Sequence, residues 1–231
     1  MSEPPPPEQV LVLLRCRATD AGHGFGLRGG DILIGLDGAP WRGSAVTLQA
    51  QILRAGKDCA LSFQRGAAVF TILCGRADLG QWRRVAPPEG LAPVPPCPES
   101  LRNWEIMADR RDMHDVFASV PTVLALVAPP LWLAQTRLWA GLALFAAAVA
   151  LSMPVGWPLV ACIWLAAGLH LWRDGAAHQR VALQMQGFRR VAIIAARSEA
   201  DAAMIWQRLV PEAKFRFAPP RPVQMAPSEL G

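Results

Sequence analysis

Apolar and polar positions change rhythm several times along this chain. VLVLLRC (10–16) is apolar almost throughout, as a strand covered on both faces would be. DILIGLDG (31–38) sets Ile32, Ile34 and Leu36 two apart and closes on Asp-Gly, a turn signal. From residue 45 the period lengthens: Val46, Leu48, Ile52 and Leu53 recur at near-helical spacing, with Ser44 as N-cap and Gly56 as stop. CALSF (59–63) and AVFTILC (68–74) flank QRGA and read as a hairpin. Residues 9–76 are thus expected to form a small α+β domain.

The pattern then changes. APPEGLAPVPPCPES (86–100) holds six prolines, which makes 77–100 an extended linker. LRNWEIMADRRDMHD (101–115) is charged and reads as a helix that Ser100 can cap; within it Arg111 and Asp115 would form an ordinary surface pair beside His114. Residues 116–136 carry no charge and are long enough to span a bilayer. Pro121, Pro129 and Pro130 each remove a backbone donor, which favours a broken, re-entrant or interfacial segment over a straight span. From Leu138 to Trp172 there is no Asp, Glu, Lys or Arg, and Pro154, Gly156 and Pro158 mark a bend. Two apolar helices result, 138–153 and 157–172, each rising roughly 24 Å against a hydrocarbon layer of ~30 Å. Arg137 and Arg173 would extend them by snorkelling.

A membrane region over 101–173, with a transmembrane hairpin, is therefore expected. Trp132, Trp139 and Trp172 would mark one interface and Trp157 the other; His170 would reach the headgroups. Arg137, Arg173 and Arg180 flank the open end, so the bend would face outward and both termini the cytoplasm. Residues 174–217 read as helix, strand (191–196) and helix, the last opened by Ser198 with Asp201. Proline-rich tails at 1–8 and 218–231 are expected to be disordered.

Composition agrees with membrane segments: 52% of the 231 residues are hydrophobic and 18% charged, with the apolar excess in the middle. The net charge of +5 comes from scattered single or paired basic residues, not a polybasic tract, which argues against nucleic acid. Five cysteines without a CxxC pair suggest neither a zinc nor a redox site, only reduced buried thiols. The four histidines are scattered, and HExxH, GxSxG and P-loop patterns are absent. No catalytic residue, metal ligand, cofactor or small-molecule substrate is expected.

GFGLRGGDILIGLDGAPW (24–41) resembles the central segment of a bacterial PDZ domain, on Gly26, Leu27, Gly30, Asp31, Ile32, Asp37 and Gly38. The resemblance implies a module that adds a peptide as an extra strand between a strand and a helix. Leu11, Leu13, Leu48 and Ile52 would line that groove, or else pack as core. The family's first strand and carboxylate loop have no counterpart ahead of VLVLLRC. GFGL at 24–27 looks like such a loop, but at a later place in the chain. Residues 116–209 also resemble an uncharacterised family of small bacterial inner-membrane proteins, through PLWLAQTRLW (130–139) and MQGFRRVAIIAARSEADA (185–202). That resemblance implies a membrane hairpin and no known activity.

The fold expected is an α+β PDZ-like domain, then an α-helical membrane hairpin and a short βα C-terminal segment. The function expected is a non-enzymatic scaffold of the bacterial inner membrane. Its partners would be the lipid bilayer and an integral membrane protein, in a complex it recruits or stabilises. An accessory or regulatory subunit of a membrane protease or transporter is the alternative.

Overall fold

The computed structural model describes residues 9–98, 100–120 and 123–217; the proline tails and Pro121 lie outside them. The chain divides into two compact units. One runs to Phe117 and resumes at Arg190; the other is Ala118–Arg189, inserted into it.

The first unit holds two sheets. The larger contains β1 (Val10–Arg15), β2 (Ile32–Leu36), β3 (Ala39–Pro40), β4 (Cys59–Arg65), β5 (Ala68–Cys74) and β6 (Gln81–Val85). Their order is β5-β4-β2-β1-β6, with β3 paired to β2. Short helix α1 (Ala21–Gly24) precedes β2. Helix α2 (Ala45–Ala55) follows β3; Ser44 accepts from the Thr47 amide at 3.1 Å, and Gly56 closes the helix in the left-handed region.

A flat sheet would hold β6 and β4 three strand spacings apart, about 14 Å. The rings of Trp82 on β6 and Phe63 on β4 nevertheless stack with centroids 6.3 Å apart. The sheet is therefore strongly curled, and its concave side encloses Leu11, Leu13, Leu33, Leu48, Ile52, Leu61, Phe63 and Ile72.

The smaller sheet holds β7 (Arg102–Ala108), β8 (Met113–Ala118), β9 (Arg189–Ala196) and β10 (Lys214–Phe215), in the order β10-β8-β7-β9. Helix α7 (Glu199–Leu209) covers it through Ala202, Ala203 and Trp206. Asn103 on β7 joins the two sheets by mimicking a strand's backbone. Its Oδ1 accepts from the Leu73 amide at 3.0 Å, and its Nδ2 donates to the Leu73 carbonyl at 2.8 Å.

The expected helix over 101–115 is thus a strand pair. The Asp109 carboxylate accepts from the amides of Arg111 and Met113, turning the chain between β7 and β8. His114 sits buried against Trp206 and Phe215, not on a solvated helix face.

The proline-rich segment after β6 lies on the larger sheet. The Gln64 side chain bonds the Gly90 carbonyl at 3.2 Å and the Ala92 amide at 2.8 Å. Val94 fills the space left by Gly35: a Cβ there would meet Val94 Cγ1 at 2.4 Å.

The inserted unit is helical: α3 (Val123–Val127), α4 (Pro129–Gln135), α5 (Trp139–Ser152) and α6 (Trp157–Met185). Its core is Ala125, Trp132, Leu133 and Leu171. Helix α3 packs so closely on α6 that a Cβ at Gly168 would meet the Leu126 carbonyl oxygen at 2.5 Å. Pro129 opens a new helix one residue after α3, leaving the Val127 carbonyl outside both ladders. The Trp164 indole donates to it at 3.1 Å.

Three expectations are corrected here. Helix α5 has 14 residues and rises about 21 Å, well short of the ~30 Å hydrocarbon layer. Helix α6 has 29, but it does not stop at Trp172; it continues through Arg173, Asp174, His178 and Arg180. Among the described residues no helix is long and apolar enough to cross a membrane. The transmembrane hairpin, and the inner-membrane placement drawn from it, are withdrawn. The fold class is corrected too: the described chain is mixed α/β, with ten strands in two sheets. Strand β9 and helix α7 are not a short appendix but part of the second sheet's structure.

Candidate functional site

The residues of the glycine-rich segment act together as a structural clasp. Gly26 (φ +78°) and Gly30 (φ +95°) take left-handed backbone conformations that side chains resist. The Asp31 carboxylate is buried and accepts from the Arg28 amide at 2.8 Å. Arg65 on β4 binds it through two bonds of 2.7 Å, from Nε to Oδ1 and from Nη2 to Oδ2. The same Nη2 also donates to the Gly26 carbonyl at 2.9 Å. One guanidinium thus ties the start of β2 to the loop before it. Leu27 is buried in the core and Ile32 begins β2. Asp37 (φ +50°) and Gly38 (φ +80°) form the tight turn into β3, and the Asp37 side chain accepts from the Ala60 amide at 2.7 Å.

GFGL (24–27) offers no cradle for a carboxylate at its amides. Those of Phe25, Gly26 and Leu27 already donate to carbonyls of Ala21, Gly22 and His23. The outer side of Gly26 is closed as well, since a Cβ there would meet the Val191 carbonyl oxygen at 2.5 Å.

Leu11, Leu13, Leu48 and Ile52 are all buried, none more than 1% exposed. They face the interior of the curled sheet. Strand β1, which was expected to receive a peptide, has both edges occupied. It pairs with β2 on one side and antiparallel with β6 on the other, Val10 opposite Val85 and Leu13 opposite Trp82.

Among the described residues the sheet ends instead at β6. Trp82 and Val85 are half-buried, and Gln81, Arg83 and Arg84 are exposed. Trp82 anchors it by stacking on Phe63, which in turn stacks on Phe70 at 5.6 Å. The opposite edge of the sheet, β5, carries the Asn103 clasp, so the two edges are not equivalent. Nothing in the sequence pattern singled out QWRRV as a strand: it is five residues long and mostly polar.

Arg190 lies 3.9 Å from buried Glu105. Glu199, at the start of α7, has its carboxyl pushed up by burial and by the negative charge of Asp115. Burial raises the thiols of Cys16, Cys59 and Cys97, and takes Cys74 to about 11. At Cys59 and Cys74 burial outweighs the opposing pull of Lys57 and Arg76.

The tryptophans and arginines assigned to membrane interfaces lose that role with the spans. Trp132 is a core residue of the helical unit; Trp139, Trp157 and Trp172 are exposed. Arg137 (φ +59°) turns the chain between α4 and α5, and Arg173 lies mid-helix in α6. Among the described residues no group of three or more His, Cys, Asp or Glu side chains is placed to hold a metal ion. No family model, curated protein or solved structure matches this chain.

Proposed function

We propose that the chain is a non-enzymatic interaction protein whose larger sheet accepts an extended, acidic segment of a partner protein along β6. The observation that carries this reading is that β6 ends the sheet among the described residues, with two adjacent exposed arginines, Arg83 and Arg84. Strand addition uses backbone hydrogen bonds for affinity and side chains for selection. Charged residues on an edge also discourage pairing with a second copy of the same strand. Here both functions fall to the same cations: a second β6 is repelled and a strand bearing Glu or Asp is drawn in. The resemblance of residues 24–41 to PDZ domains supports a peptide-adding module. It does so with a changed acceptor strand, and with a segment recognised internally rather than by a terminal carboxylate. The helical unit offers a second contact, since Leu144, Leu151, Val155, Trp157 and Leu165 are all exposed. An apolar helical face of a partner protein suits it.

The test is fluorescence anisotropy with two labelled octapeptides, one alternating Glu and Val, the other Lys and Val. The acidic peptide should bind preferentially, and the double variant R83E/R84E should reverse the preference. Equal binding of the two peptides, or a preference unchanged in the variant, overturns the reading.

A further inference from the structure

We infer that His170 and His178 on α6 form a two-imidazole site for a divalent first-row transition metal, with Asp174 positioning the first imidazole. Residues four apart on a helix share a face, so His170, Asp174 and His178 form one stripe. The two histidines are separated by about 12 Å of helix rise. Their rings lean toward each other across that distance. The two Nε2 atoms stand 2.8 Å apart, with ring centroids 4.9 Å apart and planes at 64°.

Two neutral imidazole nitrogens at this separation need one proton between them, with one ring donating and the other accepting. Asp174 decides which. Its Oδ2 lies 3.5 Å from Nδ1 of His170, so the carboxylate favours the proton on Nδ1. The Nε2 lone pair of His170 is then turned toward His178. A metal replaces the shared proton: His178 moves its ring proton from Nε2 to Nδ1 through solvent, and both Nε2 atoms become ligands. At Zn–N distances of about 2.0–2.1 Å and a tetrahedral angle, the nitrogens would stand roughly 3.3 Å apart. The present pair must open by only about 0.5 Å. Both rings are exposed on one helix and free to do so. Helices α3, α4 and α5, which pack against α6, contain no charged residue that would compete for the metal.

The site has two protein ligands, and water completes the coordination. That implies modest, reversible affinity. Imidazole ligands select Zn²⁺, Ni²⁺ or Cu²⁺ over Mg²⁺ or Ca²⁺. The helix extension read after Trp172 is present, and because α6 runs unbroken to Met185, His-x3-Asp-x3-His lies on one face.

Isothermal titration of zinc chloride or nickel chloride into the full chain, with the exposed Cys97 and Cys162 alkylated, tests this. One-site binding is expected, with magnesium chloride inert. H170Q and H178Q should each weaken it at least about tenfold, and D174N by about ten- to a hundredfold. H23Q, at an exposed histidine outside the stripe, should leave it unchanged. Absent binding by the wild type, or equal binding by the H170Q/H178Q double variant, overturns the site. An unchanged affinity in D174N overturns the role of Asp174.

Discussion

At the scale of single residues, Asp31 is the position where a small change should cost most. Its carboxylate is buried and takes both prongs of Arg65 together with the Arg28 amide. D31N keeps the shape and removes the charge, leaving a partly buried guanidinium short of its partner. A loss of roughly 3 kcal/mol in urea unfolding is expected. The cysteines should separate by reactivity. Cys97 and Cys162 are exposed, while Cys59 and Cys74 are buried, with the Cys74 thiol raised to about 11. In the native chain at mildly alkaline pH, iodoacetamide should alkylate the exposed pair first, as peptide mass spectrometry would show. Rapid modification of Cys74 would mean that β5 opens readily. Glu199 gives a pH dependence of defined sign. Its folded pKa is raised, by burial first and then by Asp115. Its stabilising contribution is therefore complete below the unfolded carboxyl's pKa and is lost as pH rises through the folded one. E199Q should match the wild type in acid and exceed it at neutral pH in thermal unfolding.

At the scale of elements, the sequence was readable where local chemistry and tertiary context agree. β1, β4 and β5 lie on the apolar runs 10–16, 59–63 and 68–74, and α2 begins and ends at Ser44 and Gly56. The Asp37-Gly38 turn follows from backbone conformations that few other residue pairs adopt readily. Three strands were hidden, and one helix was read in place but given the wrong role. β7 and β8 carry so many charges that they read as a solvated helix, yet one face of the pair supplies Ile106 and Val116 to a core. β6 has too little apolar surface to announce itself and is held by its pairing with β1 and by Trp82. The composition of α5 is apolar all round, and length, not composition, decides whether such a helix spans. The proline segment looked like a free spacer because nothing in its own residues reveals that Gly35 makes room for Val94. G35A should displace that segment, with a cost of about 1–3 kcal/mol and faster proteolysis within 86–98.

At the scale of the molecule, the candidate site differs from the expected one because of how the larger sheet is completed. Leu11, Leu13, Leu48 and Ile52 were legible as apolar positions, but not as residues sealed inside a curled sheet. The proposed acceptor edge is residues 81–85, which carry no motif. The protein is basic overall, at +5, and the two arginines of β6 place part of that charge on the open edge. Binding of an acidic strand should therefore weaken as salt rises, since screening shortens the reach of charge from about 10 Å at 0.1 M to about 3 Å at 1 M. Amide hydrogen exchange over Gln81–Val85, with and without the acidic octapeptide, tests strand addition most directly. The peptide should slow exchange at the outward-facing amides of β6 and leave β5 unchanged. Protection confined to β5 or α2, or none on the larger sheet at saturating peptide, would contradict the account.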